Sequence, residues 1–374
     1  MPDASDVSPE AWLGNPLSVM PGEGAKLTHM SILRRISSNH NLHASGGLRP
    51  ALRTRGFLFA CRKVSRMLPM ALRIAYIKQA KTTPDLLAHL LAKGLSVPDQ
   101  AKALHALDII GYYRLLIYMR PLQNSQTRIF YPGVEFDDVM ALYDFDRRLR
   151  LICLDAVERI EVAMRAAITN ALAPDPAAGP HFYLDSKHFV SANGFNSFMD
   201  AVRHPNTKKH QPVDHYLKTY HTPAHAPIWA ILEAITLGPL SHLYADLQIL
   251  HRKAIATAFG FDEKVLVTWF KSINMLRNVC AHHSRLWNKN NLVNAPLQVK
   301  ALRAEFPNNA DRGRVAARAV TLVALLAVID PTSDWKQRFK SVILSCPTGS
   351  LKKAGLAETV MGFSPGWDQR VFWN

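Results

Sequence analysis

The chain has 374 residues, 48% hydrophobic and 20% charged, an ordinary globular balance for one large domain or two smaller ones. Lys and Arg number 45 against 29 Asp and Glu, so the net charge is +16 and the pI is near 9.8. Such an excess favours a polyanionic partner, nucleic acid or an anionic membrane surface, without choosing between them. Cys61, Cys153, Cys280 and Cys346 form no CxxC pair, which argues against a zinc knuckle or redox motif and fits reduced cytoplasmic thiols. No apolar run reaches the ~18–20 residues of a membrane helix. The best candidate, 315–329, carries Arg318. The acidic start lacks a signal-peptide pattern.

Residues 1–69 scatter Pro, Gly, Ser and Asn with weak periodicity and are expected to be a mostly disordered extension. Their basic residues, such as Arg34, Arg35, Arg53 and Arg55, read as a solvated tail rather than a phosphate-binding arm. The regular domain is expected over 70–374. Thr83-Pro84 suits a helix start, with Thr as the cap and Pro in the first turn; Leu86, Leu87, Leu90 and Leu91 continue it, and Gly94 stops it. Ser96-Val97-Pro98 predicts a second start, running to Ile110-Gly111. Tyr112 to Tyr118 read as a further buried segment, and 123–133 as turns. From Phe136 to Leu172, apolar residues recur every three or four positions, the helical repeat, until Pro174 and Pro176.

Residues 174–226 read as a polar insertion with short helices, holding seven of the 16 histidines. His221 and His225 have no co-ligands at a recognisable spacing, so neither a metal nor a cofactor is assigned. Helices resume at Pro227, with a break expected at Gly238-Pro239. Others are expected over 262–281 and 314–329, followed by a segment over 335–343. Nothing alternates at period two, so the fold class is all-α.

The densest chemistry lies in Arg277-Asn278-Val279-Cys280-Ala281-His282-His283-Ser284-Arg285. On a wheel of ~100° per residue with Leu266 at zero, Trp269, Phe270, Ile273, Leu276 and Cys280 fall within about 80°, and Arg277 within about 20°. An arginine on an apolar stripe keeps its charge, so it needs an anion or an opening to a ligand; its planar fork suits phosphate. His282 lies about 140° from Arg277 on an unbroken helix. Either the helix ends or tightens near Ala281, or a second subunit completes the site. A histidine works as acid or base near neutral pH. RNA brings its own nucleophile, the 2′-OH, and the scheme needs no metal. Against this stands a structural ion pair or a capped helix end, which the spacing alone leaves about as plausible.

The longer string from Leu276 to Asn288 resembles the bacterial abortive-infection (Abi) family of the AbiD/AbiF type. Arg277 to His282 fits the Arg-x4-His signature of the HEPN superfamily. Supporting strings occur in order: Ile110-Gly-Tyr-Tyr-Arg114, Leu142 to Arg150, Arg159-Ile-Glu161, Pro227-Ile-Trp229 and Met361-Gly-Phe363. The resemblance spans about residues 71–374. It implies a HEPN-like helical bundle, phage defence, a metal-independent endoribonuclease and a homodimer that joins two motifs. Carried over, Arg277 and His282 are the catalytic pair and Asn278 the polar neighbour. His283 and Arg285 belong to the string without assigned roles. On the long helix, Asp146 and Glu161 are expected to face Arg277 as supporting carboxylates. Arg147, Arg148 and Arg150 are candidates for RNA phosphates, with a solvated salt-bridged face as the equal alternative. The competing functions are a non-catalytic RNA-binding or sensing module, and a toxin held by an antitoxin or released by a phage-encoded trigger. A membrane-surface role has no amphipathic basic helix behind it.

Overall fold

A computed structural model describes residues 79–356 and 358–374. The expectation for 1–69, and Cys61 with it, lies outside the described residues. Among those described there are fourteen α-helices and no strand beyond three isolated bridges, so the fold is all-α.

Helix α1 (Thr83–Ala92) is capped by Thr82, one residue before the expected cap. Asp85 decides this. Its amide donates to the Thr82 hydroxyl and its carboxylate answers the Thr82 backbone, the reciprocal box that needs an acid three residues after the cap. Pro84 then sits in the first turn, where no amide bond is lost. Helix α2 (Gln100–Ile109) starts later than Ser96-Val97-Pro98 predicts. Asp99 caps it, accepting from the Lys102 amide at 2.9 Å. Ser96 instead pairs with the chain at 134–136, just before the long helix begins.

After α3 (Tyr112–Met119) comes α4 (Phe136–Leu172), whose bounds match the expected ones. Its 37 residues reach about 55 Å at ~1.5 Å per residue. A short-helix region follows: α5 (Ala192–Arg203), α6 (Pro205–Lys209) and α7 (Gln211–Thr219). Then come α8 (Ile228–Ala234), α9 (Leu237–Asp246), α10 (Ile249–Ala256) and α11 (Glu263–Ala281). Gly238 and Pro239 do not break a helix. They lie in the first turn of α9, where amides have no intrahelical partner to lose.

The chain closes with α12 (Val315–Ile329), α13 (Trp335–Leu344) and α14 (Thr348–Lys353). Helix α4 is the axis, with α3, α8, α10, α11, α12 and α13 packed along it. From Val315 to Leu326, α12 is buried on all sides, as a helix apolar all round should be. Arg318 is fully buried there, and burial pushes its guanidinium down to about 10. Its two terminal nitrogens donate to backbone carbonyls, Leu292 at 2.7 Å and Val293 at 3.0 Å among them, which fastens the loop beyond α11 to the core.

Among the described residues, no helix is long and apolar enough to cross a membrane.

Candidate functional site

The apolar stripe of α11 buries as the wheel requires: Leu266, Trp269, Phe270, Ile273, Leu276 and Cys280 are all inside. Cys280 meets Cys153 of α4, and that contact together with burial pushes the Cys153 thiol well up. Arg277 is half-buried at the edge of the stripe. It lines a groove of about 320 Å³ whose apolar wall is Leu154, Val157 and Val162 of α4. Its hydrogen bond goes to Oδ1 of its neighbour Asn278, at 3.2 Å. Glu161 and Arg165 share the groove, paired at 2.6 Å. Burial pushes the Glu161 carboxyl up, while the Arg165 and Arg277 charges pull it back.

Helix α11 stays regular to its end. The His282 amide still reaches the Asn278 carbonyl four residues back, at 3.0 Å. Arg277 and His282 therefore leave the axis about 140° apart within one chain. The helix then closes in a Schellman motif. The His283 amide donates to the Cys280 carbonyl at 3.0 Å and the Ser284 amide to that of Val279 at 2.9 Å. This closure needs a left-handed residue, and His283 supplies it with φ +54°. His282 and His283 are both exposed.

The turn is held from two sides. From α4, the fully buried Asp146 carboxylate accepts the Leu286 amide at 3.0 Å and the Trp287 amide at 2.5 Å. It also accepts the Tyr118 hydroxyl at 2.6 Å and pairs with Arg150. From α3, Arg114 donates to the His283 carbonyl. In return Arg285, partly buried over the Trp287 ring, donates to the Ile117 carbonyl at 2.6 Å. Burial lowers the Arg285 pKa.

The structure thus separates residues that the sequence placed together. Asp146 does not turn to Arg277. It sits where α4 passes beneath the turn after α11, while Glu161, four helical turns further on, lies beside Arg277. Arg150 is not a surface cation. It is buried against Asp146 and Tyr118, facing away from any phosphate outside. Arg147 and Arg148 are exposed. Sequence reasoning missed Arg165, Arg114 and Tyr118. Arg165 was signalled by its spacing of four from Glu161, and Arg114 closes one of the strings noted above. Tyr118 had no signal beyond a helical apolar run. Among the described residues, no group of three or more His, Cys, Asp or Glu is placed to hold a metal ion. His221 bonds to the hydroxyl of its neighbour Thr222.

These features define a class: an all-helical domain with an Arg-x4-His helix end tied by a buried carboxylate to a long axial helix. The family described as Abi-like protein matches residues 105–288, from within α2 to just past this turn, and the chain is similar to that family over this stretch. The comparisons with curated proteins and with solved structures each find no match. This match supports a part in abortive infection, a phage-defence response.

Proposed function

We propose that this Abi-like protein is a metal-independent endoribonuclease of the HEPN kind, acting in phage defence. The observation that carries the reading is Arg277. It is a permanent cation at the edge of an apolar stripe, opening on a groove of about 320 Å³ and hydrogen-bonded to its own neighbour. A planar guanidinium so placed suits an RNA phosphate, held through two parallel bonds. Asn278 orients it. His282, exposed at the helix end, acts as the proton-transfer group.

The chemistry balances without an added reagent. A base takes the proton of the 2′-OH, the 2′-oxygen attacks phosphorus, and the bond to the 5′-oxygen breaks. An acid returns a proton to that oxygen. The products are a 2′,3′-cyclic phosphate and a 5′-OH. Arg277 offsets the charge that develops on the phosphorane oxygens. The 140° between Arg277 and His282 is met by a homodimer, in which each chain supplies a histidine to the other's arginine. Arg147 and Arg148, exposed on α4, extend the contact with the RNA backbone.

The test is incubation of the purified full chain with RNA in EDTA, with the ends read by mass spectrometry. Cyclic-phosphate ends are expected, lost in Arg277→Ala and in His282→Ala while the folded state persists. Cutting that survives both substitutions removes the mechanism. Salt-sensitive RNA binding without scission makes the chain a sensing module instead.

A further inference from the structure

We infer that Asp146 is the positioning residue of the exposed histidine turn, acting through backbone amides and assisted by a latch from α3. This rests on reading His282 as the group that acts on RNA.

Three observations carry it. First, the turn after α11 holds His283 in a left-handed conformation, which costs a non-glycine residue energy and persists only where the surroundings enforce it. Second, two backbone contacts just past the turn converge on one carboxylate. The Asp146 carboxylate is fully buried and takes two consecutive amides, Leu286 at 3.0 Å and Trp287 at 2.5 Å, just beyond the histidines. Tyr118 and Arg150 fix that carboxylate in turn. Third, the His283–Arg285 segment and α3 exchange bonds in both directions: Arg114 to the His283 carbonyl, and Arg285 to the Ile117 carbonyl. The turn is therefore clamped between α3 and α4 at both of its ends. Asp146 is fully buried, so its effect on chemistry passes through the place of His282.

The discriminating pair is Asp146→Asn against Asp146→Ala. Asparagine keeps an oxygen for the two amides and loses the charge that faces Arg150; alanine loses both. The full-length protein is followed by amide hydrogen exchange and by RNA-cutting kinetics. Asp146→Ala is expected to speed exchange at Leu286 and Trp287 at least about tenfold. It should lower kcat about a hundredfold with KM unchanged, the signature of a displaced group that does not itself bind substrate. Asp146→Asn should restore most of the exchange protection and bring kcat to within about tenfold of the original.

Equal losses in Asn and Ala would show that the buried charge matters only for the ion pair, and would overturn the inference. Unchanged exchange at Leu286 and Trp287 in Asp146→Ala overturns it as well. Should the alanine variant fail to fold, Tyr118→Phe takes its place. It frees one side of the carboxylate and is expected to raise exchange at the same two amides, and unaltered exchange there counts against the latch. A wild-type chain that cuts no RNA sinks the nuclease reading alone, because exchange still reports whether Asp146 holds the turn.

Discussion

The ends of α1 and α11 close with the same hydrogen bonds and different residues. At the end of α1, the Gly94 amide meets the Leu91 carbonyl at 2.9 Å and the Leu95 amide that of Leu90 at 3.2 Å. At the end of α11, His283 and Ser284 make the equivalent bonds to Cys280 and Val279. Gly94 takes the left-handed position with φ +80° and bears no Cβ to strain. His283 takes it with a full side chain. An ordinary stop uses the residue that fits. The α11 end keeps one that does not, and Arg114, Arg285 and Asp146 gather around it. Strain enforced by neighbours is a mark of a working segment, and here it coincides with the exposed histidines.

The difference is open to test. The largest expected effect is on activity. His282→Ala should cost at least about a hundredfold in RNA cutting with little change in Tm, because the side chain is exposed and proton transfer is typically worth that much. Comparable cutting by the variant would make the α11 end an ordinary stop after all. Next comes Arg114→Ala, which removes a charged donor from the His283 carbonyl. A loss of about 1.5 kcal/mol in urea unfolding is expected, and a loss near zero would mean the latch from α3 is slack.

Gly94→Ala should cost about 1 kcal/mol. The added Cβ meets Ile129 at an ordinary 3.6 Å, so the cost comes from the backbone. RNA cutting should not change, since Gly94 bonds to Leu91 and faces Ile129 and makes none of the bonds that hold the turn. His283→Gly should act in the opposite sense, raising stability by about 0.5–1 kcal/mol as the left-handed strain is relieved. A lower Tm in that variant would show that the imidazole supports the turn rather than straining it.

The smallest effect concerns pH and contrasts the exposed pair with a partly buried one. His188 and His251 bond ring to ring at 2.8 Å beside Phe182. Burial lowers both pKa values, the His251 and Lys187 charges lower that of His188 further, and Asp175 and Asp185 oppose the shift. The folded state thus binds fewer protons than the unfolded chain. Stability is intact above pH ~6.5 and declines as pH falls below it toward the depressed folded values. Thermal scans between pH ~7.5 and ~5.5 should show Tm falling on acidification, with a shallower slope in His251→Phe. A slope identical in both proteins would assign the acid sensitivity elsewhere.

Much of this was legible in the chain itself. The bounds of α4 followed from its unbroken three-four repeat, and the placing of Arg277 on the α11 stripe followed from the wheel. Local signals misled where a better cap lay one residue away from the expected start. Thr83 before Pro84 pointed to the wrong cap, because Asp85 stands three residues after Thr82 and closes the box there, and Ser96-Val97-Pro98 pointed to a start that Asp99 takes instead. Arg150 looked like one of three surface arginines. Its four-residue step from Asp146 was the available clue that the two face each other and turn inward together.

Periodicity along one chain settled which residues are helical, which face each helix buries and which cation is out of place, because those depend on neighbours three or four positions apart. It was silent on what joins α3, α4 and the end of α11. The pairing of Asp146 with Leu286 and Trp287 spans 140 residues or more. No local preference encodes such a contact; it exists only once the apolar faces of α4 and α11 have packed and brought a buried carboxylate beneath two free amides. The same packing put Glu161 rather than Asp146 beside Arg277, a choice that angles on a single helix could not make.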